Sequence, residues 1–178
     1  MANARLTFNE LNALDQGAFT ALLGDIFEHS SWVAERAWAA RPFTDVAALH
    51  TAMSQVVREA SPAEQFALIR AHPELAGREA TAGTLTNSST GEQKRLGFTA
   101  LTRAEFDRIT GINRSYREKF GFPCIVALKL HADRACVMDE MERRVTNDAQ
   151  TERWNALEQI AHIGHGRLSA LFENEFEE

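Results

Sequence analysis

Cysteine is scarce: Cys124 and Cys136 are the two in 178 residues. A secreted disulfide framework needs more of them at closer spacing, so the pair reads as free thiols in a reducing cytosol. Basic blocks are missing too. Twenty-five Asp and Glu outnumber 19 Lys and Arg, for a net charge of −6. That balance argues against a nucleic-acid or anionic-membrane partner. No apolar run approaches the roughly 20 residues that cross a bilayer. Met1-Ala2-Asn3-Ala4-Arg5 has no signal-type apolar core behind it. The tail Phe176-Glu177-Glu178 is not a peroxisomal tripeptide. The expectation is a cytoplasmic protein.

Known chemical fingerprints are also lacking. There is no glycine-rich dinucleotide loop, no Walker-type phosphate loop, no Gly-x-Ser-x-Gly elbow and no His-Glu-x-x-His helix. No Glu stands three residues before a His, which removes the di-iron helix element. These gaps lower the common cofactor and metal classes without naming a function.

What is present is helical. Ala, Leu, Glu and Arg dominate, β-branched runs are short, and no period-2 alternation is long enough for a sheet. The chain suits one all-α domain, residues 1–178, of about eight or nine short helices around one core. Helices are expected at about 7–13, 16–28, 32–40, 45–59, 62–70, 90–97, 103–120, 133–146 and 151–174. Thr7, Ser61, Ser89 and Thr102 each precede a Glu by three positions, the capping-box pattern. Arg41, before Pro42, should close the third helix. Cys124–Leu130 is the best strand candidate and could equally be a buried helix. The last helix has an apolar stripe of Trp154, Leu157, Ile160, Ala161, Gly164, Leu168, Leu171 and Phe172. From Ala76 to Ser89 two glycines and a Thr/Asn/Ser cluster read as one long loop, a length that is often functional.

Six histidines need sorting. His162 and His165, three apart on one helix, are compatible with a metal but have no carboxylate or cysteine ligands beside them. His72 differs. It precedes Pro73, so its helix must end there, which sets the imidazole at the mouth of the long loop. Loops on a rigid scaffold carry reacting groups, and an imidazole titrates near neutral pH. At the loop's other end Ser89-Thr90-Gly91-Glu92-Gln93 offers amides, a hydroxyl and a carboxylate to a small polar molecule, or simply caps a helix. Arg167 borders the last stripe. Its guanidinium either snorkels to water or reaches inward to a carboxylate or ureido oxygen.

His72-Pro73-Glu74-Leu75-Ala76-Gly77, then Ser89-x-x-Glu92-Gln93, then Phe120-Gly121-Phe122-Pro123-Cys124-Ile125-Val126-Ala127 form an ordered set. With Ser31–Trp38, Arg41-Pro42-Phe43, Ile160-Ala161 and Arg167-Leu168, it resembles the 2-oxo-4-hydroxy-4-carboxy-5-ureidoimidazoline (OHCU) decarboxylase family of urate breakdown. The resemblance spans about residues 7–172. It implies an all-α protein, often a homodimer, that converts OHCU to (S)-allantoin with no metal and no organic cofactor. His72 matches the family's catalytic histidine, and Glu92 would hold the C4 hydroxyl or set the imidazole's charge. Pro73, the stretch Ser89 to Gln93 (with Thr90 and Gly91), and the stretch Cys124, Ile125, Val126, Ala127 and Leu128 match substrate-binding segments. In the last of these, backbone groups would bind. Arg167 matches an arginine of the closing helix that would attract the anionic substrate.

Two departures stand out. Cys124 replaces a common Phe, and Lys94-Arg95-Leu96-Gly97-Phe98 replaces a run of small residues. Two rivals remain: a non-catalytic helical module that binds ureides or purine metabolites, and a hydrolase with Cys124 as nucleophile. Against the latter, Cys124 lies in an apolar run, where a thiol more often packs.

Overall fold

Most α-helices in the described part of this chain start or stop at a short polar side chain, a proline or a glycine. The computed structural model describes residues 6–172. Their ten α-helices are α1 Phe8–Ala13, α2 Gln16–Leu23, α3 Trp32–Ala37, α4 Val46–Glu59, α5 Pro62–Ala71, α6 Arg78–Ala82, α7 Asn87–Arg95, α8 Arg103–Phe120, α9 Arg134–Arg144 and α10 Ala149–Phe172. No strand occurs among the described residues. The targeting readings of Met1–Arg5 and Phe176–Glu178, and the end of the last expected helix at 173–174, lie outside them.

Thr7 and Thr102 form the expected reciprocal capping boxes with Glu10 and Glu105. Ser61 and Glu64 do the same at 2.7–3.3 Å. Ser89 does not. The N-cap of α7 is Thr86, whose hydroxyl accepts from the Ser89 N–H at 3.3 Å. The helix therefore begins at Asn87, earlier than the Ser89–Glu92 pattern suggested. The expected loop from Ala76 to Ser89 is also interrupted by α6. Arg41 is extended, as a residue before proline should be, and α3 closes through a 3-10 turn at Trp38–Ala40.

Among the described residues the backbone forms two compact units: residues 6–68 with 161–172, and residues 69–160. In the first, Leu11, Phe19, Leu23, Val33, Ala34, Leu49 and Met53 are wholly excluded from water. Burial on this scale is the main favourable term in folding. The helix expected over 16–28 stops at Leu23. Gly24 follows, and the chain passes through His29 at φ +46° before α3.

In the second unit the core is Ile109, Tyr116, Phe122, Val137, Met138, Met141, Ala156 and Ile160. The strand candidate is neither strand nor buried helix. Residues 124–127 form no regular secondary structure and no ladder, and a 3-10 turn follows at Leu128–Leu130. The stripe on α10 is also partly wrong. Trp154 and Leu171 are 45% and 36% exposed, whereas Glu152 is fully buried. An ion pair described below takes the place an apolar residue would fill.

Candidate active site

His72 is the first residue beyond α5. Its N–H still reaches the Ile69 carbonyl at 3.3 Å, and Pro73 then ends the helix. The residue is buried, at 6% exposure. A tight turn follows, in which the Gly77 N–H donates to the Glu74 carbonyl at 3.2 Å. Ala76 sits in the left-handed region at φ +50°, which costs a residue with a Cβ about 1–2 kcal/mol. Gly77 is needed for a different reason: a Cβ there would meet the Glu74 Cβ at 2.7 Å.

Neutral side-chain amides hold this turn. Gln93 Oε1 accepts from the Ala76 N–H at 3.0 Å, and its Nε2 donates to the Glu74 carbonyl at 3.4 Å. Asn113 Nδ2, from α8, donates to the Leu75 carbonyl at 3.0 Å. Asn113 is 7% exposed and its Oδ1 is buried without a hydrogen-bond partner. An unmet buried acceptor costs about 1–3 kcal/mol. Arg117 adds an ion pair to Glu74 at 2.7 Å, with the arginine half exposed.

On α7, Ser89, Glu92 and Gln93 share one face by their spacing of three and four. Ser89 and Gln93 are buried and Glu92 is half-buried. Thr90 and Gly91 are exposed, and the Thr90 hydroxyl bonds back to the Thr86 carbonyl at 2.9 Å. The structure thus splits the stretch from Ser89 to Gln93 into an inward triad and an outward pair. Gln93, expected to read substrate, spends both ends of its amide on the turn after His72.

The third segment, Cys124 to Leu128, is buried throughout. With no ladder to satisfy its backbone, side chains do so. Arg144 Nη1 donates to the Ile125 carbonyl at 2.6 Å, Arg95 Nη2 to the Leu128 carbonyl at 2.5 Å, and Gln159 Oε1 accepts from the Ala127 N–H at 2.8 Å. The Ala127 amide, expected among the substrate-binding backbone groups, is therefore occupied.

Arg144 also grips Glu152 Oε2 through Nε and Nη2 at 3.1 and 2.9 Å, and the Tyr116 hydroxyl donates to the same oxygen. Asn147 and Asn155 donate to Oε1 at 2.7 Å each. Burial works to raise the Glu152 pKa, but these donors outweigh it and bring the carboxyl below its ordinary value. Burial pushes the Cys124 thiol up to about 12, against the opposing pull of Arg144. A thiol held protonated is a poor nucleophile, which counts against the hydrolase reading.

Three contacts tie the three segments together within this unit. They are Gln93 to the turn, Arg95 to Leu128, and Arg70 Nε to the Gly121 carbonyl at 3.3 Å. Arg95 and Arg70 were not among the expected residues. Neither was Asn113, although a polar residue on the stripe Ile109, Ile112, Asn113 and Tyr116 was a readable signal. A groove of about 580 Å³ lies along α8 and the turn, with Ala76, Phe106, Asn113 and Arg114 among its walls. His72 does not line it.

Arg167 belongs to the first unit. It does reach inward, to a carboxylate of the protein itself: Nη1 meets Glu28 Oε2 at 2.8 Å, with both residues buried. His165 stands edge-on to His50, ring centroids 5.1 Å apart, and the His50 Nε2 bonds the Ala161 carbonyl at 2.8 Å. Burial lowers the His50 pKa, and His165, His162 and Arg58 add to that effect against the Ala161 hydrogen bond.

Fold and site together define a protein whose described residues are helical and without strands, with a buried imidazole at a helix end. Comparison sharpens the class. A family model described as OHCU decarboxylase matches residues 12–169. The 2-oxo-4-hydroxy-4-carboxy-5-ureidoimidazoline decarboxylase of Haloferax volcanii is 39% identical over 170 residues, 96% of this chain and 98% of that protein. Among solved structures, (S)-allantoin synthase superposes with a TM-score of 0.74 at 28% identity over 94% of this chain, which spans 55% of that longer chain. An OHCU decarboxylase solved in the presence of (S)-allantoin gives a TM-score of 0.67 at 18% identity, covering 89% of this chain and 99% of its own, a likeness of fold. The chain belongs to the OHCU decarboxylase family.

Proposed function

We infer that this protein decarboxylates OHCU to (S)-allantoin, with His72 as general acid/base. The observation that carries the reading is the setting of His72. It is a buried imidazole at a helix end, followed by a turn hydrogen-bonded to the α7 face that bears Ser89, Glu92 and Gln93, in a chain matched by the family over residues 12–169.

The chemistry fits the residues. When the bond from C4 to its carboxylate breaks, the bonding pair stays on C4 and carbon dioxide departs. The neighbouring ring C=N accepts that pair, so the substrate supplies its own electron sink and no organic cofactor or metal is required. The protein must turn the carboxylate out of the ring plane, stabilise the developing charge and bring a proton to one face. His72 handles that proton. Glu92 holds the C4 hydroxyl or sets the charge on the imidazole. Ser89 and the groups of Pro73 and Cys124–Leu128 that remain open read the ring and ureido amides. Gln93 contributes by holding the turn.

The same reading treats residues 1–178 as one domain, since the family model crosses both units without a break. It also makes the protein a cytoplasmic homodimer, as the resemblance implies. No described helix is long and apolar enough to cross a membrane.

The test is circular dichroism in an allantoin band, with OHCU generated in place from urate by uricase and hydroxyisourate hydrolase. The expected result is rapid, protein-dependent appearance of optically active (S)-allantoin, unaffected by chelator. Slow racemic product in the presence of folded protein would overturn the decarboxylase reading and favour a binding module.

A further inference from the structure

We propose that Asn113 is a positioning residue for the reaction, fixing the turn that aims His72; the proposal rests on the reading of His72 as acid/base. Two unfavourable features meet within four residues of the imidazole. Ala76 is left-handed although it has a Cβ, and Asn113 directs its amide N–H at the Leu75 carbonyl while its own Oδ1 is buried without a partner. The bond to the Leu75 carbonyl offsets the unmet oxygen at best, and nothing local offsets the left-handed alanine. An apolar residue of the same shape at 113 would remove the unmet oxygen and suit the stripe formed by Ile109, Ile112 and Tyr116. Strain and unmet polar groups persist where the surroundings hold a geometry that function needs.

The geometry supplies that function. The Leu75 carbonyl and the Ala76 N–H flank one peptide unit. Asn113 takes the first from α8 and Gln93 takes the second from α7. The peptide plane is thereby clamped from two helices, three residues beyond His72. Pro73 stiffens the link between, because its ring fixes φ. The direction of the His72 Cα–Cβ bond then depends on this peptide plane. Arg117, bonded to Glu74 in the same turn, is half exposed and contributes less, since solvent screens it.

The test uses Asn113→Leu, with Asn113→Ala as a second variant should the first not fold, and Ser115→Ala as a control from the exposed side of the same helix, outside the groove. Leu removes the unmet Oδ1 but also the donor to the Leu75 carbonyl, so one unmet acceptor replaces another and Tm is expected to change little. Misplacing a reacting group by about 1 Å can cost 10²-fold. The expected loss in kcat is therefore at least about tenfold, with KM within about threefold. In ligand-free protein the His72 ring signal, assigned by its disappearance in His72→Asn, should shift in position and titration while the other five histidines stay put. Ser115→Ala should match wild type throughout.

A folded variant with wild-type kcat and a wild-type His72 signal overturns the proposal. So does a fall in kcat with the His72 signal unchanged. Turnover retained in His72→Asn would instead remove the acid/base reading. The ring signal, which needs no turnover, would still decide whether Asn113 sets the imidazole.

Discussion

Two segments of the second unit carry the candidate site, and they are held by opposite means. The strip Cys124–Leu128 is anchored by buried charge, through Arg144 on the Ile125 carbonyl and Glu152 on Arg144. The turn after His72 is anchored mainly by the neutral amides of Gln93 and Asn113, with a left-handed alanine and an unmet oxygen in the assembly. A buried ion pair with every oxygen occupied is rigid, because breaking it strands a charge in the interior. A turn on neutral amides is bound less tightly, and its two buried anchors add no charge of their own beside the side chain they aim. For a general acid/base that matters, since a nearby full charge would move its titration. The division matches the roles proposed: the strip is wall, the turn is tool.

The largest expected effect is at the tool. His72→Asn should leave the helical circular dichroism and Tm close to wild type, and lower kcat for OHCU by about 10²–10⁴-fold, the usual worth of a general acid/base. A folded variant with wild-type turnover would break the contrast at its functional end.

The next effect is at the wall and has the opposite character. Arg144→Met leaves the Glu152 carboxylate buried without its cation, and should destabilise by about 3–5 kcal/mol, read as an earlier midpoint in urea. The pH dependence follows from Glu152. Its pKa in the folded protein lies below the ordinary value, so its contribution is complete above the usual carboxylate range, about 4.3. It is lost as the pH falls through the folded pKa. Glu152→Gln should therefore flatten part of the acid limb of the stability curve. An Arg144→Met variant as stable as wild type would show that the strip does not depend on buried charge.

Much of this was legible in the sequence where the signal was local. Three capping boxes, the end of α5 before Pro73 and the long α8 all follow from neighbouring residues. What was not legible was the tertiary wiring. Glu152 stood on an apolar face for no local reason. Its explanation is Arg144 and Tyr116, 8 and 36 residues away. The Cys124–Leu130 run looked like a strand because its residues are apolar and β-branched, yet its backbone partners are the side chains of Arg95, Arg144 and Gln159. Ser89 carried a valid capping pattern that lost to Thr86, a competitor three residues upstream. The order of the three motifs could be seen in the chain; the amides that hold them in place could not.

The smallest expected effect concerns the Cys124 thiol, which lies in the wall and takes no part in the chemistry proposed. The thiol is 2% exposed, and burial pushes its pKa up to about 12, so at neutral pH it is neither ionised nor accessible. Cys136 is exposed, although the hydrogen bond its thiol donates to Asp133 and that residue's charge raise its pKa as well. Iodoacetamide at neutral pH should label Cys136 slowly and Cys124 not at all, as mass spectrometry of the digested protein would show, with OHCU turnover unchanged. Labelling of Cys124 in the folded protein would mean that the strip opens on the timescale of the reaction, which a segment pinned by Arg144, Arg95 and Gln159 should not do. Loss of turnover in step with that labelling would make the wall part of the tool, and the contrast between the two segments would fail at its structural end.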